Sequence, residues 1–187
     1  MPALVKAKER AWATACLSNL KQIGVASALY VDDSDQAFPR SNHEDESWVV
    51  TLQRYTGGTN LWRCPRDKDS TRIYSYAIND FLLPPPAGMA SAPDGLFKNH
   101  QVPSPSETLF MTECADKYLF SDHFHFAPYN DGDDSPFNFQ LQVAVTRHGR
   151  SANYLFTDFH VETIPWLKTQ TKLTPSGSHF TNPGGKP

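Results

Sequence analysis

The sequence predicts an α+β protein: one long N-terminal α-helix packed on a mostly antiparallel β-sheet with long loops. Three observations point to it. Residues 2–31 carry apolar side chains at helical spacing, with Gly24 the single glycine among them. The segments 72–78, 108–112, 152–157 and 160–164 are short and apolar, with β-branched and aromatic residues, as strands require. Fifteen prolines and ten glycines punctuate the chain more often than a helix bundle tolerates.

The helix comes first. Trp12, Cys16, Leu20, Ile23 and Tyr30 recur along one side, and Thr14, Ser18, Lys21 and Gln22 fall on the other. At ~1.5 Å per residue, thirty residues make a rod of roughly 45 Å, long for a domain of this size, so one end should protrude. Its start is basic, with Lys6, Lys8 and Arg10 against Glu9, and no N-cap precedes it. The expectation is a truncated spine over 1–31, whose upstream part is missing. Asp32, Asp33 and Asp35 close it. Three carboxylates in four residues suit calcium, but Ala37 stands where an EF-hand needs Gly and His43 where it needs Glu. A solvated turn is the simpler reading.

A short second helix follows over Ser47–Tyr55, with Ser47 as N-cap and Gly57-Gly58 as its stop. Residues 61–65 read as extended, 72–78 as an aromatic strand, and 84–106 as a proline-rich surface loop. Residues 108–112 form a buried strand, 121–140 a long loop, and 141–146 an alternating stretch. Residues 152–157 and 160–164 pair as a hairpin about Asp158-Phe159. The globular part thus spans 32–168, and a flexible polar tail, frayed from Thr171, occupies 169–187.

The 187 residues fit one domain. Seventeen Lys and Arg against twenty Asp and Glu leave a net charge of −3, with no basic surplus to neutralise a phosphate backbone, so nucleic acid is not an expected partner. No apolar run reaches membrane-spanning length, and no signal-peptide core is seen. GxSxG, P-loop and GxGxxG markers are missing. Cys16, Cys64 and Cys114 form no CxxC pair, which disfavours a cysteine-type zinc site; spacing alone leaves one disulfide plus a thiol, or three reduced cysteines, equally open.

Seven histidines remain as a reservoir of chemistry. His123 and His125 on a strand would project to one face, a two-ligand start for zinc, with His148, Asp158 or His160 to complete the site. A strand over 152–157 separates His148 from Asp158 by roughly 17 Å unless the preceding loop folds back. His148 as base and Asp158 as its orienting carboxylate would be the acid–base alternative. Satisfied loop histidines are the simpler reading, and an enzyme is not expected.

These segments together resemble a known family. Lys6–Arg10, Cys16-Leu-Ser-Asn-Leu-Lys-Gln-Ile-Gly24, Tyr30–Asp35 and Phe38-Pro39 are similar to the region just after the membrane helix of prepilin-type pseudopilin proteins. Arg63-Cys64-Pro65, Tyr74–Asn79 and Pro105–Glu113 resemble further elements of that family. Arg147-His148-Gly149 and Ala152–Val161 resemble its C-terminal His-x9-Asp-Gly signature, with Phe159 in place of the glycine, which puts the tight turn in doubt. The resemblance covers roughly 4–165. It implies a type IV pilin-like fold and a structural subunit of a type II secretion or type IV pilus-like assembly. It also implies an inner-membrane anchor upstream, a globular part in the periplasm or outside, and other pseudopilins as partners. An envelope location would favour a Cys16–Cys64 disulfide, leaving Cys114 as the odd thiol.

Two further expectations compete. An envelope-displayed ligand- or metal-binding module could use the 84–106 and 121–140 loops and the aromatics Tyr118, Phe120, Phe124, Phe126, Tyr129, Phe137 and Phe139. A metal-dependent hydrolase built on the His and Asp set ranks last. Calcium or zinc is the cofactor each metal reading would need.

Overall fold

Helix α1 spans Pro2–Asp33, roughly 48 Å at ~1.5 Å per residue. It opens a computed structural model that describes residues 2–41, 47–58, 60–84, 98–118, 122–126 and 134–186. Cys16, Leu20, Ile23, Ala26, Ser27 and Val31 form its buried face, with Trp12 and Tyr30 half-buried beside them. Fully burying Leu20 and Ile23 contributes about 1.5–3 kcal/mol each. Residues 3–11 are exposed throughout. The helix closes where Asp35 and Gln36 enter the left-handed region, at φ 51° and 64°, and the Gln36 N–H donates back to the Val31 carbonyl at 3.0 Å. No helix among the described residues is long and apolar enough to cross a membrane.

The protein is α+β, with a five-stranded sheet in the order β3-β1-β2-β4-β5. The strands are β1 (Tyr76–Asn79), β2 (Leu109–Glu113), β3 (His123–Phe124), β4 (Ser151–Phe156) and β5 (Val161–Pro165). The sheet is mixed rather than wholly antiparallel: β3 runs parallel to β1, pairing Ile78 with His123, while the other neighbours are antiparallel. β1 is shorter than expected and starts at Tyr76, because Arg72 and Ser75 turn their side chains to Asp67 instead.

Alternation along the strands sorts side chains onto two faces. Tyr76, Ile78 and Leu155 join α1 in one core. Ala77, Tyr154 and Phe156 join a second core on the opposite face. A register shift between Leu109 and Met111 turns both Phe110 and Met111 toward α1, while Leu109 faces away. Both faces being covered explains why β1 and β2 are buried at every position.

Helix α2 (Trp48–Leu52) covers the α1 side, its N-terminus capped by Ser47, whose hydroxyl accepts from the Val49 N–H at 3.3 Å. It continues as a 3-10 turn over Gln53–Tyr55. The stretch 61–65, read as extended, begins instead in another 3-10 turn, Asn60–Trp62.

The second face carries two helices that the sequence reading missed. Helix α3 (Pro136–Gln142) replaces part of the expected 121–140 loop and the start of the 141–146 alternation. Ser135 caps it and Pro136 opens it, a regular N-terminus. Val143 then forms an isolated bridge to Cys114. Helix α4 (Trp166–Leu173) begins directly after β5.

The polar tail does not fray. Leu173 and Phe180 enter the second core, and the Phe180 carbonyl accepts from the Leu109 N–H at 2.7 Å. Asn79 donates to the carbonyls of Leu109 and Thr181 at 2.9 and 2.6 Å, pinning tail to sheet. Lys186 pairs with Asp134 at 2.6 Å. A sheet buried on both faces needs this apolar cover, and one aromatic at Phe180 anchors an otherwise polar segment.

Candidate functional site

Five strand and turn residues were expected to share a metal site, and the structure distributes them over three places. His123 and His125 do project to one face, their rings stacked at 4.8 Å. His123 Nδ1 pairs with Asp122 at 3.0 Å. The backbone of His125 exchanges two hydrogen bonds with the Gln142 side chain. Asp158 and His160 meet at 2.6 Å in the β4–β5 turn, where both are exposed. His148 lies with neither group.

That turn forms although Phe159 stands where glycine was expected. Phe159 adopts φ 68°, a left-handed conformation that disfavours a side chain by roughly 1–2 kcal/mol. Its ring packs edge-on against Phe110 at 6.0 Å, which offsets the strain. The turn closes through the Phe156 N–H, which donates to the His160 carbonyl at 3.0 Å.

The acidic run at the end of α1 does not converge either. Asp33 accepts from the Tyr55 hydroxyl at 2.9 Å. Asp35 pairs with Lys98 at 2.6 Å, and that hydrogen bond holds its carboxyl below the ordinary value. The aromatics of the proposed binding loops are largely core. Tyr118, Phe124, Phe126, Phe139 and Trp166 stack in succession at 5.2–6.2 Å. Phe137 is exposed, and Phe120 and Tyr129 lie outside the described residues.

His148 goes instead to a buried polar cluster. Its Nε2 lies 2.8 Å from Glu113 Oε2 and 3.7 Å from Cys64 Sγ. Cys64 is bonded to Cys16 in a disulfide, with the Cα atoms 5.1 Å apart. Among the described residues, this quartet is the one group of three or more His, Cys, Asp or Glu whose ligand atoms lie close enough to share an ion, all within 4.8 Å of one another.

Each member is placed by a separate element. Cys16 sits midway along the buried face of α1. Cys64 follows a 3-10 turn, its N–H donating to Ser75 Oγ at 3.1 Å. Glu113 ends β2 with a fully buried side chain, and His148 precedes β4 with its side chain 1% exposed. The turn behind His148 is completed by Gly149 at φ 82°, a conformation suited to glycine.

Buried charge surrounds the quartet. Arg147 donates to the Cys114 carbonyl at 2.6 Å and to Asp116 at 2.5 Å, and its Nη1 stands 3.7 Å from Glu113 Oε1. Burial alone would pull its guanidinium down, but Glu113, Asp67 and Asp116 outweigh that and raise it. Arg72 reaches Asp67 at 3.4 Å and the carbonyls of Ala115 and Tyr118 at 2.8 and 3.0 Å. Ser75 donates to Asp67 at 2.6 Å. The two fully buried carboxylates, Glu113 and Asp67, are thus matched by two guanidiniums, the condition for burying charge at all. Arg147 also lines an open groove of about 430 Å³ with Arg66, Lys68 and Asp116.

The sequence reading missed Glu113 and Arg147 as site residues. The available signal was a carboxylate at the end of an otherwise apolar strand, and an arginine beside His148 just before another. The third cysteine, Cys114, is buried, and burial pushes its thiol up from 9.0 to about 12, which leaves it unreactive. Comparison with protein-family models, curated proteins and solved structures gives no match for this chain.

Proposed function

We propose that this chain is a pseudopilin-like structural subunit of a type II secretion or type IV pilus-like assembly of the cell envelope. One observation carries the reading. Leu4, Ala11, Ser18 and Val25 recur every seven residues on α1, with Leu29 one turn beyond, and all five are exposed. At 3.6 residues per turn they fall within about 60° of one another around the axis. An apolar or small-residue seam at heptad spacing suits packing against another long helix. A groove of about 300 Å³ between Ser18, Gln22, Val25, Tyr55 and Leu61 runs beside it.

In this reading the partners are other subunits with comparable helices. The full-length protein is anchored in the inner membrane, and the globular part lies in the periplasm or outside. The Cys16–Cys64 disulfide supports that location, since such bonds persist in oxidising compartments. The role is non-enzymatic, and the dispersal of the expected His and Asp set supports it.

The test is a photo-crosslinking residue at Val25 or Leu29 in the producing cell. The expected product joins two subunits, sits in the envelope fraction, and is lost in Leu29→Glu. A monomer in the cytoplasmic fraction with no crosslinked product would overturn the proposal.

A further inference from the structure

The geometry points to a second state of the Cys16–Cys64 pair: once reduced, the two sulfurs, Glu113 and His148 form a four-ligand site for a zinc-class divalent cation. The site goes beyond the structural role proposed above and does not depend on it.

Four observations converge. The donor set is two sulfurs, one imidazole nitrogen and one carboxylate oxygen, all within 4.8 Å. Tetrahedral zinc takes such ligands. Zinc–sulfur and zinc–nitrogen bonds of ~2.3 and ~2.0 Å put sulfur and nitrogen ligands roughly 3.6 Å apart; Cys64 Sγ and His148 Nε2 already stand at 3.7 Å. The ligands are as buried as a closed site requires, with the side chains of Glu113 and His148 0% and 1% exposed. Finally, Glu113 Oε1 and His148 Nδ1 are buried without hydrogen-bond partners. Nδ1 lies on the far side of the ring from Cys64, so it can carry the ring proton while Nε2 takes the metal, and Glu113 keeps its second oxygen beside Arg147.

The chemistry balances as follows. A dithiol reductant gives two electrons and two protons and leaves as its own cyclic disulfide; the Sγ–Sγ bond breaks to two thiols. The cation displaces one proton from each thiol to the solvent buffer, and the sulfur electron pairs form two metal–sulfur bonds. His148 binds as the tautomer that carries its proton on Nδ1, which leaves the Nε2 electron pair for the metal. Two thiolates and a carboxylate around a dication leave one negative charge, which Arg147 faces from 3.7 Å. Opening the sulfur pair from bonding distance to the roughly 3.8 Å of a tetrahedral site is the main movement needed.

The test uses the full chain with Cys114→Ser, so that thiol signals come from the pair alone. The protein is unfolded with a dithiol reductant, freed of it by gel filtration, refolded without oxidant or metal, and titrated with Co(II). One equivalent should bind, with the ligand-field bands of tetrahedral cobalt and a thiolate charge-transfer band, and Zn(II) should displace it. The oxidised protein should bind none. His148→Ala and Glu113→Gln should each weaken binding at least about tenfold; where Glu113→Gln does not fold, His148→Gln takes its place. Absence of thiolate-ligated cobalt in the reduced protein overturns the proposal. So does affinity unchanged by the His148 and Glu113 variants, or a reduced chain that is unfolded and that cobalt does not refold.

Discussion

The carbonyl oxygen of Phe159 lies 3.1 Å from where a Cβ on Gly24 would stand. Helix α1 therefore touches the β4–β5 turn backbone to backbone, and a Cβ would also meet Leu155 Cδ1 at 2.9 Å. Gly24→Ala sets two effects against each other. Alanine favours the helix by about 1 kcal/mol, while overpacking against fixed backbone and a fully buried leucine costs about 1–3 kcal/mol. The expected result is a net loss of about 1 kcal/mol in urea denaturation, and a larger loss for Gly24→Val. A stabilised Gly24→Ala would show that the helix can lift off the turn.

Phe159 separates strain from packing. Phe159→Ala removes the ring contact with Phe110 but keeps a side chain at φ 68°. Phe159→Gly removes the ring and relieves about 1 kcal/mol of strain. Both should be less stable than the parent, and the alanine variant should be the worse by about 1 kcal/mol. Equal melting curves for the two would mean that the left-handed turn stores no strain.

Removing Arg147 leaves Glu113 and Asp67 buried, with their side chains 0% exposed and short of positive charge. Arg147→Met should destabilise by about 3–5 kcal/mol. Adding Glu113→Gln should cost less in that background than alone, because the charge it neutralises is no longer paired. The four denaturation midpoints of that double-mutant cycle provide the check.

Alkaline pH should weaken the fold. Burial raises the Cys114 thiol from 9.0 to about 12, and burial likewise raises the Tyr76 and Tyr154 phenols above their ordinary 10.0. The unfolded chain releases these protons first, so it binds fewer protons than the native one and stability falls with rising pH. For Cys114 the contribution is constant below pH 9 and declines between pH 9 and about 12, by up to about 1.4 kcal/mol per pH unit. Cys114→Ala should flatten the first part of that decline, before the tyrosines titrate. Stability that rises above pH 9 in the parent protein would contradict this account.

Local chemistry was readable where it acts over a few residues. The helical period of α1, the Ser47 cap and the β4–β5 hairpin depend on neighbours in sequence, and each is present. Helices α3 and α4 were not read because they are short and their cover of the second core is decided by distant partners such as Phe180. The parallel placement of β3 beside β1 depends on a crossover that no local pattern encodes. The quartet was half-visible. His148 stood out as a histidine, but its partners lie 35 and 84 residues away, and Asp158, its expected partner, belongs to a turn at the far end of β4. Sequence proximity favoured the wrong carboxylate.

The cross-link between Cys16 and Cys64 also sets how the molecule answers a pull. Tension entering at the N-terminal side of α1 reaches Cys16 and passes through sulfur to Cys64, bypassing the chain between them, a sequence separation of 48. The second half of α1 and all of α2 then lie outside the force path. Stretching the oxidised chain from its ends hides roughly 160 Å of contour that the reduced chain would release.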